Sequence, residues 1–355
     1  MTALTFVAFA AGLVLLVLGA DWLVRGASRL ATAWGISPLV VGLTVVAYGT
    51  SAPELAVSVN AVLGGQPNLS LGNVIGSNIC NVLLILGASA AITPLIVNAQ
   101  LIRMDVPIMV GLSILTWVLA LDGRLGRVEG LLLVAGAIAY TVLQVKQARR
   151  DPSGDDDAAD ASGRSSLLAN AGYIVLGFGG LVLGARWLVA SAITFATAFG
   201  VSELVIGLTI VAVGTSLPEV ATSIVAAVRG ERDIAVGNVV GSNIFNILTV
   251  LGVSATVSPV GLLVPAGALN FDMPVMVAVA IACLPVFARR AVIGRWEGVL
   301  FLFYYVAYTA YVVLAAQEHD VLPTYEAAML TFVIPLTALT LLVMAWQSVR
   351  NVRRQ

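Results

Sequence analysis

One polar stretch occurs twice in this chain, each time inside sequence that is otherwise almost wholly apolar. The first copy reads Gly49-Thr50-Ser51-Ala52-Pro53-Glu54 and resumes at Gly72-Asn73-Val74-Ile75-Gly76-Ser77-Asn78-Ile79-Cys80-Asn81. The second reads Gly214-Thr215-Ser216-Leu217-Pro218-Glu219 and resumes at Gly237-Asn238-Val239-Val240-Gly241-Ser242-Asn243-Ile244-Phe245-Asn246. Every motif residue of the second copy lies 165 positions after its mate. Composition says which medium surrounds them. The chain is 59% hydrophobic and only 10% charged, whereas soluble domains carry about 25% charged residues. This is the balance of an all-α integral membrane protein with many helices, and it excludes a soluble enzyme with a single anchor.

A hydrocarbon core of about 30 Å takes about 20 apolar residues per helix. Apolar runs between polar breaks predict spans near 3–23, 37–63, 69–92, 105–121, 127–147, 167–189, 202–228, 234–257, 273–288, 296–315 and 327–348. The N-terminus lacks the basic start of a signal peptide, so the first span is expected to be retained. Repeat matching extends past the motifs, for instance from Gly19-Ala20-Asp21-Trp22 to Gly184-Ala185-Arg186-Trp187. The expected organisation is a first five-span repeat over 1–147 and a second over 167–316. A polar, acidic linker over 148–166 joins them, and one additional helix follows at 327–348. The duplicated motif regions are 42–90 and 207–255.

Five is odd, so two consecutive five-span units cross the membrane in opposite directions, which makes an inverted repeat (5+5, plus the extra helix). The charges agree with this. With the N-terminus outside, only Arg124, Arg127 and Arg186 of the 18 Lys and Arg residues fall outside. The rest lie on the inner side, as the positive-inside rule requires.

Pro53 removes a backbone donor within span two. This predicts a break near the membrane middle that leaves carbonyls such as that of Ala47 without helical partners. Irregular backbone at that depth is tolerated where it lines a cavity. Glu54 follows at once. A charge at the bilayer centre costs roughly 2.5–3.5 kcal/mol on insertion scales, and a bound cation offsets that cost. Ser77 and Asn81 lie four residues apart and share a helix face, as do Ser242 and Asn246. Gly72 with Gly76, and Gly237 with Gly241, allow close helix approach.

An inverted repeat brings both copies together. The pooled donors are then Glu54, Glu219, Thr50, Ser51, Thr215, Ser216, Ser77, Ser242, Asn81, Asn246 and freed carbonyls. All are oxygens, which suits a hard cation such as Ca²⁺ and not Zn²⁺ or Cu⁺. Two ionised glutamates balance one Ca²⁺, and they can equally be neutralised by Na⁺ ions or by protons.

The paired Gly-Thr-Ser-x-Pro-Glu and Gly-Asn-x-x-Gly-Ser-Asn-x-x-Asn stretches resemble the alpha repeats of the cation/Ca²⁺ exchanger superfamily, above all its prokaryotic sodium/calcium antiporters. The resemblance covers spans one to ten. It implies the Na⁺/Ca²⁺ exchanger fold and Ca²⁺ export driven by Na⁺ entry. It also implies an inner cell membrane location with the C-terminus cytoplasmic. Glu54 and Glu219 would be the central ligands. Thr50, Ser51, Ser77, Thr215, Ser216 and Ser242 would complete the Ca²⁺ and Na⁺ sites with the carbonyls of Ala47 and Ala212. The spans carrying Trp22 and Trp187 would slide to switch access. No cofactor is implied beyond the transported ions.

This chain departs from some relatives at one position. Potassium-dependent members carry aspartate where it has Asn246, so K⁺ is not expected among its ions. The proton-coupled branch typically has a further glutamate in the Gly-Asn stretch, which is absent here. Sodium is therefore favoured over a Ca²⁺/H⁺ antiporter or another divalent exchanger.

Other polar residues have plainer expectations. Asn73, Asn78, Asn238 and Asn243 lie off the Ser/Asn face and read as interhelical hydrogen-bonding groups. Asp105 and Asp272 read as helix N-terminal caps. The run Asp155–Asp157 with Asp160 reads as solvated linker, His319 as an exposed loop residue and Cys80 as packing. A net charge of −1 points to no nucleic acid, and two cysteines make no disulfide framework. The lone histidine, outside the spans, leaves no obvious catalytic base for an intramembrane enzyme.

Overall fold

The computed structural model describes residues 2–148, 163–200, 206, 209–210, 212–289 and 291–335. Among these, eight helices are long and apolar enough to cross a membrane, or nine if one bent pair counts as a span. Helix α1 is Ala3–Trp34. It ends where Gly35 turns left-handed (φ 63°), a conformation that favours glycine; the Gly35 amide donates to the Thr32 carbonyl (3.2 Å) and the Ile36 amide to that of Ala31 (3.0 Å). The bent pair is α2 (Pro38–Thr50) and α3 (Ala52–Leu63), which meet at 41°. Pro38 opens α2 in its first turn, where a missing N–H is harmless, and Ser37 caps it by accepting the Val40 amide at 3.3 Å. The remaining long helices are α4 (Pro67–Ile92), α5 (Leu101–Leu119), α6 (Arg127–Ala148), α7 (Gly163–Ala198), α9 (Arg232–Val257), α10 (Ala268–Ala288) and α11 (Arg295–Ala316), with a shorter apolar helix, α8 (Leu217–Val228), before α9.

Several boundaries shift from the sequence reading. The linker is shorter than 148–166, because Ala148 ends α6 and α7 already starts at Gly163. The acidic run Asp155–Asp157 lies outside the described residues. So does most of the extra helix expected at 327–348, of which α12 (Leu322–Ala328) and the wide turn Met329–Val333 are seen. Part of the span expected at 202–228 is also outside them.

The two halves interlock reciprocally. Gly12 lies against Gly184, Gly19 against Gly177, and Gly26 against Asn170. Numbers rise on α1 as they fall on α7, so these helices run antiparallel. Gly177 and Gly184 are themselves the 165-residue mates of Gly12 and Gly19, so one contact is made twice with the halves exchanged. The same holds farther along, where Gly87 abuts Gly298 and Gly130 abuts Gly252.

Four two-residue strands, not anticipated in an all-helical reading, repeat the pattern. β1 (Leu95–Ile96) pairs antiparallel with β4 (Val292–Ile293), and β2 (Arg124–Leu125) with β3 (Leu262–Leu263). Each ladder joins one half to the other.

The core follows from this interlocking. In its most apolar window α9 is 94% buried and α4 is 72% buried, against 11% for α11. These two inner helices carry the Gly-Asn stretches. Gly237 and Gly241 let α9 approach α2 closely: a methyl on either would stand 3.0 Å from the Leu39 carbonyl or 2.7 Å from that of Leu43. The repeat partners of those two carbonyls, at 204 and 208, lie outside the described residues, so the matching role expected of Gly72 and Gly76 does too.

One tie breaks the symmetry. Asp21 on α1 pairs with Arg25 at 2.9 Å and with Arg229 after α8. Ser28 donates to Glu231 at 2.7 Å. The first-half positions matching Arg229 and Glu231 are Gly64 and Gln66, which supply neither charge.

Candidate cation site

Both proline breaks form in the same way. Ser51 (φ −84°, ψ 5°) and Ser216 (φ −86°, ψ 5°) leave helical geometry, and the proline two residues on sits in the first turn of the next helix. Each glutamate therefore lies in the first turn of a half-helix, where the positive end of the dipole favours an anion. The expectation for Ala47 is corrected here. Its carbonyl keeps a helical partner, the Ser51 amide at 3.1 Å, and also lies 3.4 Å from the Thr50 hydroxyl. The break falls after Ser51, one residue too late to strip that bond. In the second copy the equivalent Ser216 amide is given to Val213 at 3.1 Å instead of to Ala212.

The motif side chains meet across the two halves. Ser51 donates to Glu219 Oε1 at 2.8 Å, and Ser216 donates to Glu54 Oε1 at 3.2 Å. Ser216 also lies 3.3 Å from Ser77 Oγ. Thr50 donates to Asn238 Oδ1 at 3.1 Å and Thr215 to Asn73 Oδ1 at 3.3 Å. Glu54, Glu219, Thr50, Ser51, Ser77, Asn81, Ser216, Ser242 and Asn246 are each 2% exposed or less, and Thr215 is partly buried.

The four asparagines read as interhelical groups do bridge helices, and they also set the site. Asn73 donates to the Glu54 carbonyl (3.3 Å) and to Ser58 (3.0 Å); Asn238 donates to the Glu219 carbonyl (3.5 Å) and to Ser223 (2.9 Å). Asn73 and Asn238 each also accept a threonine hydroxyl from the other half, which ties the two motif copies together. Sequence reasoning missed Ser58 and Ser223. Their signal was present, since they are 165-residue mates and lie one helical turn after the glutamates.

Four oxygens among these residues are left without a donor. Glu54 Oε2, Glu219 Oε2, Asn81 Oδ1 and Asn246 Oδ1 are buried, and no donor reaches them; Ser242 Oγ is likewise without a partner. Buried charges and carbonyls without partners are costly. The amide nitrogens of the same asparagines are used, Asn81 donating to Asn243 Oδ1 (3.3 Å) and Asn246 to Asn78 Oδ1 (3.2 Å). The helices also widen at these residues, into π turns over Asn81–Leu86 and Asn246–Leu251, a distortion frequent at functional sites. Among the described residues no three of His, Cys, Asp and Glu gather. The arrangement is two carboxylates amid neutral oxygens, chemistry suited to a hard cation.

The capping role expected of Asp105 and Asp272 is not found. Helix α5 starts at Leu101, a turn earlier than the apolar pattern indicated, so Asp105 lies inside the helix and makes no capping bond. It accepts from Tyr140 (3.0 Å), Gln144 (2.6 Å) and Gln100 (3.1 Å). Asp272 accepts from Tyr308 at 2.9 Å. These are hydrogen-bonded struts between spans. His319 lies in an exposed turn, its Nδ1 accepting the Val321 amide, and Cys80 is buried.

A family profile described as sodium/calcium exchanger protein matches residues 4–146 and 169–314. A putative antiporter, CaxA of Alkalimonas amylolytica, is 40% identical over 304 residues, covering 84% of this chain and 95% of that protein. The sodium/calcium exchanger MaX1 of Methanosarcina acetivorans is 36% identical over 345 residues, covering 87% and 98%. A solved structure of the sodium-calcium exchanger NCX_Mj, soaked with Na⁺ and Ca²⁺, superposes with a TM-score of 0.76 at 35% identity, over 87% of this chain and 99% of that one.

Proposed function

The chain belongs to the sodium/calcium exchanger protein family, and from that premise we propose that it is a secondary antiporter exporting Ca²⁺ on inward Na⁺ flow. Glu54 and Glu219 are the shared ligands. Thr50, Ser51, Ser77, Asn81, Thr215, Ser216, Ser242 and Asn246 supply further oxygens, with the carbonyl of Ala212 and that of Ala47, which would bind through the lone pair its Ser51 bond does not use. The observation that carries the reading is the set of four buried oxygens without donors, two of them on carboxylates. Ca²⁺ takes roughly six to eight oxygens, and either one Ca²⁺ or two Na⁺ cancels both charges. Bound Ca²⁺ and Na⁺ therefore compete for overlapping ligands.

The repeats over 1–147 and 167–316 form the two halves of the site, and α1 and α7 slide together across the rest to change the side it faces. An empty, doubly charged site opposes that step, because moving bare charge through the bilayer is costly. Exchange is thereby favoured over leak. The N-terminus lies outside, which puts the tie of Asp21 to Arg229 in the cytoplasmic half of α1.

Purified protein in liposomes is expected to take up Ca²⁺ when a Na⁺ gradient is imposed, and not when a pH gradient is imposed alone. Uptake that follows pH and ignores Na⁺ would mean a Ca²⁺/H⁺ antiporter, and flux with no counter-ion requirement would mean a channel. The same assay tests selectivity. Wild-type flux is expected to be indifferent to K⁺, and Asn246→Asp to make it K⁺-sensitive, since a third carboxylate invites one more monovalent cation. Unaltered flux in that variant would move the origin of K⁺ dependence elsewhere.

A further inference from the structure

An asparagine side chain has an oxygen end and a nitrogen end of nearly equal size. A cation is held by one and repelled by the other. What turns Asn81 and Asn246 the right way is therefore a question about selectivity, and the answer lies two residues away from the ion.

Asn81 gives its N–H to Asn243 Oδ1 (3.3 Å), which leaves its own Oδ1 for the site. That works only while Asn243 presents oxygen to Asn81. Asn243 in turn directs its nitrogen end at Met109 Sδ, 3.4 Å away. A thioether sulfur can accept a hydrogen bond and cannot donate one. It therefore selects one orientation of Asn243, and Asn243 selects one orientation of Asn81. The chain crosses the halves twice, from Met109 on α5 to Asn243 on α9 to Asn81 on α4.

The mate is present with the halves exchanged. Asn78 directs its nitrogen at Met276 Sδ (3.7 Å), and its oxygen accepts from Asn246 (3.2 Å). Met109, Met276, Asn78 and Asn243 are all 3% exposed or less, so both relays lie away from bulk water. The two relays differ in one respect. Asn78 has a second acceptor, the Asn243 carbonyl at 3.4 Å, whereas Met109 Sδ is the acceptor seen for Asn243.

We propose that Met109 and Asn243, with Met276 and Asn78 in the mate, are positioning residues whose acceptor-only sulfurs fix the polarity of the Asn81 and Asn246 amides toward the transported cation. This rests on the site reading above and adds to it the four residues that orient two of its ligands.

The test is Ca²⁺ binding to purified full-length protein. Met109→Leu keeps volume and apolarity while removing the acceptor. It frees Asn243 and then Asn81 to turn, and is expected to weaken Ca²⁺ binding on the order of tenfold, the scale of one hydrogen-bond-strength contact to a charged group. Met276→Leu is expected to lose less, because of the second acceptor of Asn78.

The decisive arm uses Asn81→Asp as background. A carboxylate presents oxygen at both ends, so Met109→Leu should there cause no further loss. Asn243→Asp gives a second such background should the first fail to fold, because a carboxylate at 243 accepts from Asn81 without help from sulfur. A merely structural methionine would cost affinity equally in every background, and that result overturns the proposal. So does wild-type affinity in Met109→Leu. If wild-type protein itself neither binds nor exchanges Ca²⁺, it is the functional reading that fails.

Discussion

Glu54→Gln and Glu219→Gln should each reduce Na⁺-driven Ca²⁺ uptake to background while leaving a folded protein. They should also move stability in opposite directions depending on the ion. Each carboxylate has one oxygen held by a serine of the other half and one with no donor. Without a cation, the pair is buried and uncompensated, an arrangement that costs several kcal/mol per ion. Glutamine keeps the shape and removes the charge, so each variant is expected to melt at a higher temperature than wild type in chelator.

With Ca²⁺ present the order reverses. Wild type gains from ligand linkage, about 2.7 kcal/mol when free Ca²⁺ is a hundred times Kd, and the variants gain little. Melting curves in chelator and in Ca²⁺, paired with the uptake assay, check both halves. Substantial exchange by either variant would refute the assigned roles. A variant destabilised under both conditions would show that the glutamates are packing elements.

The second large effect is expected at the seam between α1 and α7. A methyl placed on Gly19 would lie 2.6 Å from the Leu181 backbone nitrogen, and one on Gly177 would lie 2.7 Å from that of Leu23. Both obstacles are backbone, which cannot rotate aside. Gly19→Ala or Gly177→Ala must therefore push the helices apart, at about 1–3 kcal/mol each by the usual cost of overpacking. Transport should fall with stability, because the site is closed by helices that this pair contacts. Gly172→Ala on the same α7 helix meets nothing within 4 Å and serves as control. It should be neutral or slightly stabilising, since alanine is the better helix former. Equal melting temperatures for Gly19→Ala and Gly172→Ala would rule out the close seam.

Much of the candidate site is legible in the sequence. Glu54 and Glu219, the serines and threonines beside them, and Ser77, Asn81, Ser242 and Asn246 all stood out. Polar groups at the same places in both halves of an apolar chain need a reason. The span count and the distribution of arginines made the halves antiparallel, and the crossed glycine contacts of α1 and α7 agree with that. Misjudged residues were those whose role depends on where an element starts or breaks. Asp105 reads as a cap from the apolar pattern, but the π turn over Leu101–Asp105 begins the helix a turn early. The Ala47 carbonyl reads as freed if the break falls at the proline, whereas the helix holds until Ser51.

The sequence by itself determined the membrane setting, the doubling of the motif, the opposed direction of its two copies and the all-oxygen inventory. These follow from composition, period and parity, which are properties of the chain read along its length. Only the tertiary structure decided how that inventory is oriented. Thr50 meets Asn238 only because the other half brings it there, and which end Asn81 shows depends on Asn243 and Met109. Those partners belong to other helices and mostly to the other repeat. A hydroxyl or an amide has no intrinsic direction, and its direction is set by whichever donor or acceptor the fold brings within about 3 Å.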